Sequence, residues 1–185
     1  LIVHRSIHDD LMARVQALAA KRSVGPGVDG CDMGPLINAR QLERVEALCR
    51  AGVAEGATLL MGGARVTGLA GHFMAPTIFT DVRPDMRIAQ EEFFGPVLVV
   101  SPFDTPEEAI AIANDCQYGL AGAVWSATPE RARAVASKIR TGRIRINGAA
   151  LDKRGTHGGF KLSGVGREWG RVGIEEFLEY KSVIG

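Results

Sequence analysis

The chain has 185 residues, enough for one domain with a substantial core, and its 46% hydrophobic and 23% charged fractions are those of a soluble globular protein. Its 22 Lys and Arg against 21 Asp and Glu leave a formal charge of +1, which gives no attraction for nucleic acid or a membrane surface. No run approaches the roughly 18 apolar residues of a bilayer span, and nothing at the start resembles a signal peptide, so a cytoplasmic protein is expected.

Leu1 to His4 reads as a short strand, and the chain opens on it with Leu rather than Met, which suggests part of a longer polypeptide. Ile7, Leu11, Val15 and Leu18 then recur at helical spacing to about Lys21. Ser23 to Gly34 is a loop rich in Gly and Pro. Asn38 can cap the next helix, with Gln41 in capping-box position, and Leu42, Val45, Leu48, Cys49 and Val53 give that helix one apolar face before Gly56 ends it. Ala57 to Met61 predicts a strand, and Phe73 to Phe79 an extended segment in which Pro76 argues against a central ladder position.

Val97 to Phe103 reads as one buried strand. Thr105-Pro106-Glu107-Glu108 starts a helix that runs to about Asp115, with Thr as cap and Pro in the first turn. Gly122 to Trp125 predicts a strand, Thr128-Pro129-Glu130 starts a helix ending at Gly142, and Arg143 to Ile146 predicts another strand. Asn147 to Gly170 is a long loop with seven glycines, in which Phe160, Leu162, Val165 and Trp169 favour packing over disorder. Ile174 to Tyr180 predicts a closing helix and Lys181 to Ile184 the beginning of an edge strand. The alternation implies an α/β fold with a mostly parallel sheet flanked by helices, incomplete at its start, in which ligands gather at the carboxyl ends of strands.

Chemistry concentrates in Glu91-Glu92-Phe93-Phe94-Gly95-Pro96-Val97, at the entrance to the run Leu98-Val99-Val100. A carboxylate there can accept from sugar hydroxyls and a ring can lie against a planar cofactor. The same residues also suit a solvated acidic turn followed by two core phenylalanines. Cys31, Cys49 and Cys116 are odd in number, widely spaced and without a CxxC pair, which argues against a disulfide framework or a zinc site. Cys49 falls on the apolar helical face, and Cys31 lies beside Asp29 and Asp32, which disfavour a thiolate.

Taken in order, these motifs resemble the carboxyl-terminal, catalytic-domain portion of the NAD(P)-dependent aldehyde dehydrogenase superfamily. The resemblance rests on Met33-Gly34-Pro35-Leu36-Ile37, on Gly71-His72-Phe73-Met74-Ala75-Pro76-Thr77-Ile78, and on Glu91 to Val97. It continues through Ala113-Asn114-Asp115 with Tyr118-Gly119-Leu120-Ala121, and through Lys161, Ser163-Gly164 and Gly166-Arg167-Glu168. Each motif is modest evidence alone, but their joint order and spacing are highly specific. The resemblance assigns residues 1–180 to a partial catalytic domain lacking its nucleophile segment, and 181–185 to the start of an oligomerisation strand.

By that resemblance, Glu92 is the acid that bonds the ribose beside the nicotinamide of NAD or NADP, and Phe94 the ring near it. Glu91 takes a structural or solvated role. Asn147 borders the aldehyde pocket or caps its loop. Glu168 assists a proton relay or is a structural carboxylate paired with Arg167 or with backbone. Tyr118, Gly119 and Leu120 are turn and core residues. The family's reaction oxidises an aldehyde to a carboxylic acid through a cysteine thiohemiacetal and a thioester, with a glutamate base activating water. That cysteine and base are expected upstream of Leu1 in a missing amino-terminal half, so this chain alone is expected to be inactive. One departure stands out: Thr156-His157 replaces the usual Pro-Phe, which puts a polar, titratable His157 at the pocket edge or marks a tolerated change. The parent is expected to be a homo-oligomer acting on a small-molecule aldehyde. The alternative is a non-catalytic remnant or oligomerisation module that associates through Lys181-Ser182-Val183-Ile184.

Overall fold

A computed structural model describes residues 1–185, which divide into two compact units, Leu1–Ala109 and Ile110–Gly185. In the first unit, β1 (Ile2–His4), α1 (His8–Ala19), α2 (Ala39–Ala54), β2 (Thr58–Met61), β3 (Thr77–Thr80), α3 (Arg87–Gln90), β4 (Val97–Val99) and β5 (Ser101–Phe103) follow in order. β3 is the middle strand of three, antiparallel to β2 and parallel to β4, while β1 and β5 form a separate parallel pair. All four residues of β3 are buried. Successive side chains on a strand face opposite ways, so Phe79 joins the cluster built on α2 and Ile78 the cluster that includes Met12 of α1. Helices therefore cover both faces of this sheet, the layering expected of parallel pairing.

Helix α2 begins as the sequence predicts. Asn38 Oδ1 accepts the Gln41 N–H at 2.9 Å, and the helix closes through Gly56, whose φ of +94° suits glycine. Leu42, Val45, Leu48 and Cys49 are buried against Met74, Phe79, Val82, Met86, Ile88 and Phe93. The capping box is only half formed, because the Gln41 side chain bonds the 93–94 carbonyls instead of returning to Asn38.

Three expectations for this unit change. Helix α1 starts at His8, leaving Ile7 outside it, and its packed residues are Leu11, Met12, Val15 and Ala19 rather than Ile7 and Leu18, which are exposed. The expected strand over 97–103 is two strands. The chain changes partner at the fully buried Val100, with β4 on β3 and β5 on β1. Pro76 does not keep its segment out of the sheet centre, because β3 starts at the next residue, where ladder donors are needed.

Helix α4 (Pro106–Asn114) carries the chain into the second unit, with Thr105 Oγ1 accepting the Glu108 N–H. There, β6 (Tyr118–Gly119) pairs antiparallel with β9 (Phe160–Lys161), and β7 (Gly122–Val124) pairs parallel with β8 (Ile144–Ile146). Between them lies α5 (Pro129–Ala136), and α6 (Gly170–Glu175) follows β9. With three parallel pairings and helices between strands, the α/β class with mostly parallel pairing holds.

Helix α5 ends well before Gly142. From Lys138 onward the amides bond three residues back, to Val135 and Ala136, which tightens and closes the last turn. Gly142 is not in the left-handed region. It is needed for close approach instead, since a Cβ there would overlap the carbonyl oxygen of Gly158. Helix α6 lies four residues earlier than expected. Ile174, Phe177, Leu178 and Tyr180 are exposed, so no apolar face packs to extend a helix through 180. Residues 181–185 pair with no strand of this chain. No helix is long and apolar enough to cross a membrane.

Candidate functional site

The 91–97 segment leaves the carboxyl end of α3 and enters β4. Glu91 caps α3 and bonds Arg87 at 2.7 Å, with Arg44 at 4.0 Å, and the Arg87 hydrogen bond holds its carboxyl below the usual range. Its carboxylate is thus engaged within the chain. Phe93 is a core residue at 7% exposure, whereas Phe94 is 72% exposed with φ of +51°. The sequence alternatives therefore divide between the two rings: one is buried, and its neighbour is presented to solvent. The Glu92 side chain is exposed and takes part in no hydrogen bond or ion pair within the chain.

Helix α2 fixes the backbone beneath these two side chains. Arg44 Nη1 donates to the Glu92 carbonyl at 2.6 Å and to that of Phe93 at 3.3 Å. Gln41 Nε2 donates to the Phe93 carbonyl at 2.6 Å and to that of Phe94 at 3.3 Å. Gly95 lies against Val45, where a Cβ would approach to 2.9 Å. Reading by motif did not single out Arg44, and it treated Gln41 as a capping residue. No local pattern announces a side chain that reaches a loop about 50 residues away.

The other named residues lie in the second unit. Asn147 ends β8 with φ of +47°. Its Oδ1 accepts the Ser126 N–H at 2.9 Å and its Nδ2 donates to the Ser126 carbonyl at 3.0 Å, so both ends of the amide tie the segment after β7 to the end of β8. His157 and Glu168 are brought together through their backbones, each N–H donating to the other's carbonyl, at 2.7 and 2.6 Å. The His157 ring lies 4.8 Å from that of Trp169, tilted by 30°. Arg143 and Lys153 approach the same indole at 6.0 and 5.8 Å, within cation–π range.

Glu168 does not pair with Arg167. The Arg167 guanidinium donates to the carbonyls of Gly159 and Gly166 at 2.9 and 2.8 Å and lies over Phe160, leaving the Glu168 side chain exposed. The guanidinium is drawn to backbone acceptors because the glycine-rich loop offers them at close range. Lys161 is likewise an anchor: its Nζ donates to the carbonyls of Asn114 and Cys116, both at 2.7 Å, past the last turn of α4. Ser163 Oγ accepts the Gly119 N–H at 3.0 Å. Several residues of the terminal signature thus hold the loop rather than face solvent.

Cys49 is buried, and desolvation pushes its thiol up to about 11, which leaves it protonated near neutrality. Cys31 and Cys116 are half-buried free thiols. Four of the five non-glycine residues with positive φ, Phe94, Asn147, Lys161 and Trp169, lie in the two segments described above. Such backbone conformations cost of order 1–3 kcal/mol each and collect where function requires them.

Comparison with known proteins agrees over the whole chain. The aldehyde dehydrogenase family profile matches residues 1–183. A 3-succinoylsemialdehyde-pyridine dehydrogenase from Pseudomonas sp is 54% identical over 156 residues, covering 83% of this chain and 33% of the relative. Among solved structures, a Mycobacterium tuberculosis aldehyde dehydrogenase complexed with NAD+ superposes with a TM-score of 0.90 at 46% identity, over 95% of this chain and 37% of its own. The NAD-dependent aldehyde dehydrogenase from Sinorhizobium meliloti gives 0.93 at 41% identity, over 98% of this chain and 36% of its own. The chain spans about a third to two fifths of the length of the curated relatives it matches. With its motifs in order, its fold reproduced and residues 1–183 matched by the family profile, the chain belongs to the aldehyde dehydrogenase family.

Proposed function

We propose that this chain is the carboxyl-terminal part of an enzyme that oxidises an aldehyde to a carboxylic acid with NAD(P)+. One observation carries the reading: an unpaired carboxylate, Glu92, and an exposed ring, Phe94, stand side by side on a backbone held against α2. That pair fits a nucleotide. Both Glu92 oxygens are free to accept from a ribose diol, and the Phe94 ring offers an apolar face to a planar heterocycle. A bound nicotinamide would supply the hydride acceptor. Glu92 would hold its ribose by accepting hydrogen bonds, and Phe94 would offer it an apolar face. Asn147, with its amide engaged by Ser126, shapes the pocket edge. His157 would supply polarity there, and Glu168, whose carboxylate is exposed, is the candidate for a proton relay, with a purely structural carboxylate as the other reading.

In this reading the nucleophilic cysteine, the general base and the nucleotide-binding half belong to residues that precede Leu1 in the parent. Residues 1–180 are catalytic-domain sequence, the parent is a cytoplasmic homo-oligomer, and the isolated chain is inactive. The Pseudomonas relative is named for 3-succinoylsemialdehyde-pyridine, which makes that aldehyde the first substrate to try. The test is aldehyde-dependent reduction of NAD+ and NADP+ by the complete polypeptide, with Glu92→Gln beside it. A rise in nucleotide KM or a slower hydride step is expected. Unchanged kinetics with both nucleotides would remove Glu92 from the cofactor site. The alternative, an oligomerisation module, draws on the exposed Phe177, Tyr180, Val183 and Ile184. A monomer by light scattering at high concentration would count against it.

A further inference from the structure

We propose that Gln41 and Arg44 of α2 are positioning residues that set the backbone of the 92–94 segment and thereby aim the Glu92 carboxylate and the Phe94 ring; the inference rests on the cofactor reading above. Three successive carbonyls, those of Glu92, Phe93 and Phe94, all accept from these two side chains, with the shortest bonds at 2.6 Å from each donor. The arrangement has a specific task. Phe94 sits at φ of +51°, a conformation a bulky L-residue avoids, and such a residue persists only where its surroundings over-determine it. On one side the segment is anchored by the buried Phe93, and beyond Phe94 by Gly95 packed on Val45. Between those anchors, the carbonyls are the remaining handle on the peptide planes, and the α2 donors take it.

Charge points the same way. Arg44 also lies 4.0 Å from Glu91, the carboxylate that Arg87 already engages. The guanidinium and Arg87 together keep the first glutamate of the pair turned to α3 and the helix, while the second stays unpaired. Two adjacent carboxylates of identical chemistry are thus sorted into a structural one and a free one by the cations beside them. Gln41 adds a neutral donor where a second cation would draw the Glu92 carboxylate back onto the protein.

Exchange of Gln41→Met and of Arg44→Met removes the donors while keeping a side-chain stem. The bonds lost are accepted by the 92–94 carbonyls, so in NMR spectra of this chain the carbonyl carbon shifts of Glu92 and Phe93 should move in Arg44→Met and those of Phe93 and Phe94 in Gln41→Met, with α1 unchanged. In the complete enzyme the nucleotide KM should rise about tenfold with the aldehyde KM unchanged, and Arg44→Lys, which retains a donor, should recover part of the loss. Unchanged carbonyl shifts in both variants overturn the proposal, even if Arg44→Met alters KM, because that result means Arg44 acts by direct contact. If Arg44→Met fails to fold, Gln41→Met decides the matter. Glu92→Gln separates the two levels. A silent Glu92→Gln removes the cofactor reading, whereas an effective one with silent Gln41→Met and Arg44→Met removes only the positioning role.

Discussion

The 91–97 segment and the 147–170 segment carry all the candidate site residues, yet they are held by opposite means. The first is fixed by side chains. Phe93 enters a core of eleven buried residues built on α2, and Gln41 and Arg44 reach across to its carbonyls. The second has little apolar burial and is fixed through backbone groups, either against one another or by polar side chains. Of the buried apolar side chains, Ala132 alone lies beyond residue 109, while Gly119, Gly159 and Gly173 are the other buried residues of that unit. Chain there closes directly on chain, as where Gly142 meets Gly158, and cationic side chains such as Lys161 and Arg167 tie carbonyls together. Apolar burial tolerates small shifts, because contact is spread over many atoms. Backbone contact tolerates none, since a single added methyl collides.

The largest effect should come from the apolar side. Phe79→Ala removes a fully buried ring where β3 meets α2, and should cost about 3–5 kcal/mol in denaturant unfolding followed by circular dichroism, to which α1 and α2 contribute most of the helix. A loss under about 1 kcal/mol would mean that the first unit does not depend on this core. Next is Gly142→Ala, which adds one methyl against the Gly158 carbonyl and should cost up to about 3 kcal/mol. Trp125 and Trp169, the chain's two tryptophans, both lie in the second unit, so their fluorescence reads this loss selectively. If Gly142→Ala leaves the fluorescence transition in place, the backbone-contact account of that unit is wrong.

The smallest effect is electrostatic. The hydrogen bonds from Arg65 hold the Glu46 carboxyl below its ordinary value. A depressed folded-state value adds stability above the unfolded glutamate pKa near 4.3, which is lost as pH falls through the folded value. Because Arg65 is half exposed, solvent screening limits the contribution to about 0.5–1 kcal/mol. Glu46→Gln should therefore lower stability at pH 7 by that amount and flatten the acid limb of the stability profile. Equal slopes for the two proteins below pH 4.5 would show that the pair adds nothing.

How much could be read ahead of the structure varied by element, for reasons particular residues show. Helix α2 was legible almost in full, because its cap, its apolar stripe and its terminal glycine agree. The end of α5 was not. Gly142 looks like a helix stop in one dimension, and only its contact with Gly158 reveals what the missing side chain is for. The 97–103 run is uniformly apolar, and nothing in such a run marks where a strand will exchange one neighbour for another. The closing helix was misplaced because Ile174, Phe177 and Leu178 carry the right periodicity, but the unit offers them no surface to pack on.

By itself the sequence determined the family, the alternation of strands and helices, and the short list of residues to which chemistry could attach. These follow from local pattern and motif order, which a linear chain displays directly. Only the tertiary structure decided which of two adjacent glutamates is free and which of two adjacent phenylalanines is exposed. It also gave Arg167 to carbonyls rather than to Glu168. Those outcomes are set by which groups each side chain reaches in the folded chain, Arg87 and Arg44 for Glu91 and the Gly159 and Gly166 carbonyls for Arg167, and a residue's identity carries no record of that.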